Sequence, residues 1–288
     1  MKQCTESTLP NSLDILSQIS ADADIMTQHP CFCDEAHYRV GRIHLPIAPK
    51  CNIQCNFCEH NMCATEAVQH PGWTAELLSV EEAVNLVGRV MLTREDSNFV
   101  IGVAGPGDPL ANDQTYEALS LVHQEYPQLL KCICTNGLLL EDMLEKIEAC
   151  GVEAITVTVN AFSSDVGKDI YSWVRYDGVT YRGEEAASLL IAKQFDGLRK
   201  AVDRGFSVKV NAVLISGVND KQMPQLARRV REAGAGVLNI MPLIPCGKMK
   251  ELRAPTCEEL RKARQDCEGI IPQFHRCEQC RADVVYLP

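Results

Sequence analysis

The chain has 288 residues, of which 46% are hydrophobic and 23% charged, and its formal net charge is -10. This length suits one α/β barrel with attached tails. The negative charge argues against a nucleic-acid partner, because binding to a phosphate backbone depends on clustered Lys and Arg. No apolar run approaches the ~20 residues of a membrane span, and the amino terminus carries no secretory signal, so we expect a soluble cytoplasmic protein.

The predicted elements begin after a polar tail. Residues 1 to about 30 show no hydrophobic period and are predicted to be loosely ordered. After them, short β-rich runs alternate with amphipathic helical stretches. Six strands are predicted, at 41–47, 98–104, 130–135, 154–160, 207–214 and 236–243.

The helices between these strands carry start and stop signals. Ser79 with Glu82, and Thr256 with Glu259, have the spacing of capping boxes. Gly151 and Gly205 follow helical stretches and are predicted to end them. Six βα units in succession predict an α/β fold, a partial (β/α)6 barrel similar to a TIM barrel, with functional groups at the carboxyl ends of the strands.

The strongest chemical signal is a CxxxCxxC motif directly after the first predicted strand, formed by Cys51, Cys55 and Cys58. Fifteen cysteines in a chain with no sign of secretion favour metal binding over disulfides. Three thiolates on one short loop can bind three irons of a [4Fe-4S] cluster and leave the fourth iron without a protein ligand. The motif resembles that of radical S-adenosylmethionine (SAM) enzymes, in which the open iron binds SAM. A structural zinc loop is the alternative, although zinc usually takes four ligands in paired CxxC arrangements.

Several further residues at strand ends are candidates for binding SAM. Glycines after the second strand allow a ligand to approach the backbone closely, and Asn side chains at later strand ends offer hydrogen bonds. A tight turn is the alternative function for each of these residues. The candidates are Gly105, Pro106, Gly107, Asp108, Thr135, Asn136, Asn160 and Asn211.

The remaining cysteines leave several ligand sets open. Cys277 and Cys280 form a CxxC pair near the carboxyl end, which needs partners from elsewhere in the chain, such as Cys31. Cys132 and Cys134 lie on the third predicted strand, where we expect only one of the two to face the barrel interior. Further candidates are Cys63 and His44, whereas the thiols predicted to be spare are Cys4, Cys33, Cys150, Cys246, Cys257 and Cys267.

Over residues 29–283 the chain closely resembles the NifB family of radical SAM enzymes. The stretches that carry the resemblance are HPCFCDEAHYRVGRIHLPIAPKCNIQCNFC, GVAGPGDPLAN, CTNGL, TVTVN, VGKDIYSWV, EAASLL, NIMPLIP and CEQCRAD. The resemblance implies a nitrogenase cofactor maturase with three [4Fe-4S] clusters, one that binds SAM and two that serve as substrates. By resemblance, His44, Cys63 and Cys132 bind one substrate cluster, and Cys31, Cys277 and Cys280 bind the other.

The resemblance also implies a domain organisation and a reaction. Residues 1–38 would be an extension that contributes a cluster ligand, 39–250 the barrel, and 251–288 a helix with a cluster-binding CxxC tail. One SAM would donate a methyl group to a cluster sulfide, and a second would give the 5′-deoxyadenosyl radical that abstracts hydrogen from it. Deprotonation and one added sulfur would complete an [8Fe-9S-C] precursor (NifB-co, L-cluster).

Partners and a catalytic residue follow from the same resemblance. Glu66 is implied to manage protons, with a solvated loop carboxylate as the alternative. The implied partners are iron-sulfur cluster donors, a reductant, and a cofactor scaffold or carrier of the NifEN or NifX type, with neither nucleic acid nor membrane. The chain resembles the standalone form of the family, without a NifX-like domain.

The residues alone are also compatible with two other functions. A radical SAM enzyme that modifies a peptide or small molecule would use the extra cysteines for auxiliary [4Fe-4S] clusters, each fully ligated and retained through turnover. A non-catalytic metal carrier or zinc-stabilised binding protein is the second. It has no need for the glycine and asparagine sites at the strand ends.

Overall fold

A computed structural model describes residues 25–59, 70–93 and 98–287 of the chain. Two of the predicted site residues, Cys63 and Glu66, lie outside the described residues, as does the predicted spare thiol Cys4. No helix within the described ranges is long and apolar enough to cross a membrane.

Strands and helices alternate along the described chain. The strands are β1 (Gly41–His44), β2 (Ile53–Cys55), β3 (Phe99–Val103), β4 (Lys131–Thr135), β5 (Val152–Thr158), β6 (Tyr171–Tyr176), β7 (Val179–Tyr181), β8 (Ser207–Leu214), β9 (Val237–Pro242) and β10 (Val285–Tyr286). The helices are α1 (Ile25–Gln28), α2 (Val80–Thr93), α3 (Asp113–Glu125), α4 (Leu140–Ala149), α5 (Ser164–Ile170), α6 (Gly183–Asp203), α7 (Met223–Glu232) and α8 (Cys257–Glu268).

The main sheet has seven strands in the order β10-β1-β3-β4-β5-β8-β9. Its six strands from β1 to β9 pair in parallel, and they correspond to the six strands predicted from the sequence. The partial (β/α)6 barrel is therefore confirmed. Strand β1 ends at His44 rather than at residue 47, so the segment before the CxxxCxxC motif is a longer loop than predicted.

Burial on both faces explains why these segments form a parallel sheet. All five residues of β3 are buried, as are seven of the eight residues of β8. Such near-continuous apolar runs are typical of parallel strands that are covered on both sides. Helix α2 packs with Ala83, Val87 and Val90 buried, a spacing that places these three residues on one helical face.

A second sheet, of order β2-β6-β7, was not predicted. Strands β6 and β7 form a hairpin whose two-residue turn, Asp177 and Gly178, has φ values of 48° and 76°. Asp-Gly is a favoured sequence for this type of hairpin turn, so a local signal was present in YSWVRYDGVTY. Strand β2 pairs with β6 and carries Cys55, which connects the hairpin to the cysteine motif.

The carboxyl-terminal segment joins the two edges of the barrel. At one edge, the Leu238 amide donates to the Pro272 carbonyl at 2.9 Å, and the Phe274 amide donates to the Leu238 carbonyl at 3.0 Å. At the other, β10 pairs antiparallel with β1, and the His44 amide donates to the Val284 carbonyl at 2.8 Å. Residues 272–286 therefore cross from β9 to β1 and carry the CxxC pair between them.

Both predicted capping boxes are present, and the one on α8 gives a stability test. The Glu259 amide donates to Thr256 Oγ1 at 3.2 Å, and the Thr256 amide donates to the Glu259 carboxylate at 2.8 Å. Thr256→Ala removes the acceptor of this cap, and we expect the free energy of unfolding to fall by about 1 kcal/mol in urea titrations. Gln265→Ala, on the exposed side of the same helix, should change it by less than about 0.5 kcal/mol. Equal effects of the two variants would contradict a stabilising role for the cap.

Candidate functional site

A cavity of about 280 Å³ lies at the carboxyl ends of the barrel strands. Most of the residues singled out from the sequence line it, whereas Gly105 does not. The predicted residues on its wall are Cys31, His44, Cys51, Cys55, Cys58, Pro106, Gly107, Asp108, Cys132, Thr135, Asn136, Asn160, Asn211, Cys277 and Cys280. Residues separated by more than two hundred positions in the sequence are thus brought into one site.

The loop with the CxxxCxxC motif is held by hydrogen bonds from its own and neighbouring elements. Gln54 Nε2 donates to the carbonyls of Cys55 and Cys58, each at 2.9 Å. The Asn56 amide donates to the Ile170 carbonyl at 2.8 Å, next to β6. These contacts fix the loop backbone and leave its three thiols on the cavity wall.

Burial raises the pKa of these thiols and so disfavours the thiolate form in the absence of a bound cation. It raises the pKa of Cys51 to about 12, with the nearby Asp108 carboxylate adding to the rise, and that of Cys58 to about 11. Burial also raises the pKa of Cys55, and negative charge on the other two thiols raises it further. A bound cation reverses this balance, because metal ligation stabilises thiolates.

The arrangement of ligand-type side chains fits a group wider than one ion. Across residues 25–59, 70–93 and 98–287, no three His, Cys, Asp or Glu side chains converge closely enough to hold a single metal ion. The thiols are instead distributed along the wall of one cavity. A four-iron cube, which binds each thiolate through a different iron, suits this spacing better than a zinc ion, which needs four ligands around one point.

The Asp108 carboxylate joins the loops that follow β3 and β4. It is buried and accepts hydrogen bonds from Thr135 Oγ1 at 2.9 Å, the Asn136 amide at 2.6 Å and the Leu110 amide at 3.0 Å. Burial raises its pKa, whereas the three hydrogen bonds oppose that rise. Asp108 therefore organises the wall of the site through its carboxylate.

Two neighbouring residues extend this organised wall to the cysteine motif. Asn136 Nδ2 donates to Asn52 Oδ1 at 2.6 Å and lies 3.8 Å from Cys51 Sγ. A Cβ at Gly107 would lie 2.3 Å from the Lys50 carbonyl oxygen, so only glycine allows the two loops to approach this closely. The region predicted to bind SAM and the CxxxCxxC loop are thus in direct contact.

The two asparagines on later strands differ in what they offer a ligand. Asn160 Oδ1 accepts from the Val213 amide at 2.9 Å, but its Nδ2 is buried without a hydrogen-bond partner in the part of the chain that the structure describes. Asn211 Oδ1 accepts from Asn239 Nδ2 at 2.9 Å. Asn160 therefore presents an unused donor at the cavity, while the oxygen of Asn211 is already engaged.

His44 and Cys132 lie side by side on the cavity wall. A Cβ built on Gly102 of β3 would be 3.1 Å from Cys132 Sγ and 3.1 Å from the His44 ring. His44 Nδ1 lies 2.9 Å from the Arg281 carbonyl, an acceptor, so Nδ1 carries the proton and Nε2 keeps its lone pair. Burial lowers the pKa of His44 to about 4. A neutral imidazole fixed by such a hydrogen bond is a typical metal ligand.

The expectation that only one of Cys132 and Cys134 faces the interior is wrong. Both thiols line the cavity. Residues two apart on a strand point to the same face, so strand parity requires the two cysteines to face the same way. Cys134 is therefore an additional thiol in the site.

Three cavity residues with nitrogen donors were missed by the sequence analysis. Arg42, Lys209 and His29 all line the cavity and are at most 3% exposed. A signal was available for the first two, because each lies two residues before a predicted cavity residue on the same strand, His44 or Asn211. Charged residues at inward positions of a buried strand require a partner, and that partner indicates a site.

The sequence is similar to a protein superfamily and to several individual proteins. The model of the radical SAM superfamily matches residues 45–230. The chain is 43% identical over 273 residues to the FeMo cofactor biosynthesis protein NifB of Methanocaldococcus infernus, covering 94% of this chain and 89% of that protein. It is 41% identical to the protein of that name from Klebsiella pneumoniae, covering 91% of this chain and 57% of that protein.

Two solved structures with a similar fold are more distant in sequence. A radical SAM methyltransferase from Sphaerobacter thermophilus superposes with a TM-score of 0.54 at 22% identity, over 82% of this chain and 65% of that one. Methylornithine synthase (PylB) superposes with a TM-score of 0.50 at 14% identity, over 81% and 64%. These two similarities support the fold assignment alone.

The Asp108 contacts give a test of how the site is held together. Asp108→Ala leaves two buried amides and a hydroxyl without their acceptor, and we expect a loss of about 3 kcal/mol in the free energy of unfolding. Asp113→Ala is the control, because its carboxylate is 98% exposed and its ion pair with Lys146 is solvated. Anaerobic urea titrations measure both. A loss for Asp108→Ala no greater than that of the control would contradict the structural role assigned to this carboxylate.

Proposed function

Because the chain belongs to the radical SAM superfamily and, within it, to the NifB family of FeMo cofactor biosynthesis proteins, we propose that it makes the carbide-containing precursor of the nitrogenase cofactor. In this proposal it inserts a SAM-derived carbon and fuses two [4Fe-4S] substrate clusters into an [8Fe-9S-C] product. The observation that carries the proposal is a single cavity that holds the CxxxCxxC thiols together with five further thiols and His44.

The SAM-binding side of the cavity is assigned to the loops around the cysteine motif. A [4Fe-4S] cluster bound by Cys51, Cys55 and Cys58 would supply the electron for reductive cleavage of SAM. Gly107 and Asn160 would contact SAM, since the first keeps its loop close to the motif and the second has an unused amide donor. Asp108, Thr135 and Asn136 would hold these loops in register through their hydrogen bonds.

The other ligands are assigned to two substrate clusters. His44 and Cys132 would bind one, which their adjacent positions support, and Cys63 would complete this set. Cys31, Cys277 and Cys280 would bind the other, which their positions on the wall of the same cavity support. Residues 1–38 and 251–288 would thus each deliver ligands to the barrel of residues 39–250.

Each substrate cluster would have only three protein ligands, and this incomplete ligation would allow the product to be released. A fully ligated cube would be retained, whereas an iron without a protein ligand can form new bonds to sulfide as the clusters merge. Glu66 remains a predicted proton carrier in this scheme. The proposed partners are an iron-sulfur cluster donor, a reductant, and a scaffold or carrier that accepts the product.

The direct test uses anaerobic protein and SAM labelled in its methyl carbon. Three clusters require roughly twelve irons per chain. On addition of labelled SAM and a reductant, we expect both S-adenosylhomocysteine and 5′-deoxyadenosine, loss of cubane electron paramagnetic resonance (EPR) signals, and the label in an iron-bound product. Label that never enters a metal-bound species would overturn the proposal, and persistent cubane signals with little S-adenosylhomocysteine would favour an auxiliary-cluster enzyme.

A paired substitution tests the ligand assignment. Cys277→Ala with Cys280→Ala should lower the iron content by about one third, from three four-iron clusters to two, and leave reductive SAM cleavage in place. The control is Cys33→Ala with Cys257→Ala, because neither thiol lines the cavity. Loss of SAM cleavage in a folded Cys277→Ala/Cys280→Ala variant would contradict the separation of the two sites.

A further inference from the structure

Two buried side chains line the cavity beside Cys31 and Cys280, and each carries nitrogen donors that have no partner at ordinary hydrogen-bond geometry among the described residues. They are Arg42 on β1, which is 1% exposed, and His29 before Cys31, which is 2% exposed. Buried donors are nearly always paired, and an unpaired one is costly. Their position therefore indicates a ligand that supplies acceptors.

Arg42 is held at the site by contacts that use only part of its guanidinium group. Its Nη2 forms an ion pair with the Glu278 carboxylate, and the group lies 4.7 Å from the centre of the Tyr286 ring. Nε and Nη1 are buried and, among the described residues, have no partner at ordinary hydrogen-bond geometry. The guanidinium group lies close enough to the Cys280 thiol, a weak acceptor, to interact with it, and its positive charge also interacts with Cys31.

The tautomer of His29 follows from a backbone contact. The Cys31 amide donates to His29 Nδ1 at 3.1 Å, so Nδ1 is an acceptor and the ring proton resides on Nε2. Nε2 is buried, and no atom of the residues that the structure describes is its hydrogen-bond partner. The Phe32 ring, with its centroid 4.3 Å away, packs against the imidazole. His29 is thus a fixed N–H donor and, in this tautomer, has no free nitrogen lone pair for a metal.

A third cation supports the same side of the cavity. Lys209 Nζ donates to the Cys31 carbonyl at 2.7 Å and lies 5.2 Å and 5.3 Å from the centres of the Phe32 and Phe274 rings. The Glu278 carboxylate also lines the cavity, but it is 55% exposed and already paired with Arg42. The buried surface around Cys31 is therefore rich in positive charge and in N–H donors.

We propose that Arg42 and His29 donate hydrogen bonds to the inorganic sulfides of the cluster bound by Cys31, Cys277 and Cys280. This inference rests on the proposed function, which places a [4Fe-4S] substrate cluster at these thiols. With three thiolates such a cluster is an anion whose sulfides accept hydrogen bonds, and donors to the sulfur atoms raise its reduction potential. Arg42 and His29 are positioning residues, which keep an incompletely ligated cluster in place and set its redox state until it is consumed.

The test isolates this cluster and measures its reduction potential. The background is full-length, cluster-loaded protein with His44→Ala and Cys132→Ala, which removes the neighbouring ligand set. EPR-monitored redox titration with S-adenosylhomocysteine present separates the cluster at the CxxxCxxC loop, whose signal responds to this ligand, from the one at Cys31. Iron and sulfide contents are measured in parallel.

Arg42→Gln should lower the equilibrium constant for one-electron reduction of the cluster at least tenfold, which corresponds to 59 mV. His29→Phe keeps a ring of similar shape without the N–H, and it should shift the constant in the same direction by a smaller factor. The equilibrium constant of Arg42→Lys should lie between those of Arg42→Gln and of the protein with Arg42, because lysine keeps the charge but loses the planar group of donors.

Two variants separate this role from a structural one. Glu278→Gln breaks the ion pair of Arg42 but keeps its donors, and it should leave the constant within threefold or raise it. Lys131→Gln removes a buried cation of β4 that bonds backbone carbonyls and does not line the cavity, and it should have no effect. Equal losses in Arg42→Gln and Glu278→Gln would show that only the ion pair matters and would overturn the inference.

The two proposals fail in different ways. If no cluster depends on Cys277 and Cys280, the proposed function and this inference are both overturned. If a cluster depends on them but its potential and its iron content are unchanged in Arg42→Gln and His29→Phe, the hydrogen-bond role alone is overturned. Near-ultraviolet circular dichroism confirms that each variant is folded.

Discussion

The architecture depends on the hydrogen bonds that tie residues 272–286 to both edge strands of an incomplete barrel. Six parallel strands leave two unpaired edges, and such edges are normally covered or paired. Here the segment that covers them also carries Cys277 and Cys280 over the cavity. One structural solution therefore completes the sheet and supplies ligands to the site. The backbone pairing at β9 and β1 fixes where those ligands lie.

Both ends of the cavity combine paired polar groups with unpaired donors. Around the CxxxCxxC loop, the Asp108 carboxylate accepts from three donors and Asn136 bonds to Asn52, while Nδ2 of Asn52 and of Asn160 has no hydrogen-bond partner among the described residues. Around Cys31, the unpaired donors of the described residues belong to Arg42 and His29, a guanidinium and an imidazole. Buried donors without partners favour a ligand that supplies acceptors, and the charge of Arg42 favours an anionic one on the Cys31 side.

Charge explains why a strongly acidic chain can concentrate cations at its functional site. The net charge of -10 is a property of the whole chain, whereas Arg42 and Lys209 are buried at the barrel mouth. Buried cations interact strongly with the groups next to them, because the protein interior screens charge weakly. Burial disfavours the thiolate form of a cysteine, whereas positive charge from iron or from these side chains favours it. The buried thiols therefore become good ligands once such a charge lies beside them.

Sequence alone determined the features that depend on local order. The strand and helix periodicity, the capping boxes and the CxxxCxxC spacing each need only neighbouring residues, and they predicted the barrel and the cysteine loop correctly. The hairpin at Asp177-Gly178 had a local signal that was overlooked. The inward positions of Arg42, Lys209 and Cys134 also had a local signal, in strand parity. The pairing of β10 with β1 and the adjacent positions of His44 and Cys132 were decided by the tertiary structure. They depend on which distant segments pack together, and this choice is made by burial and hydrogen bonding across the whole sheet rather than by any stretch of the chain.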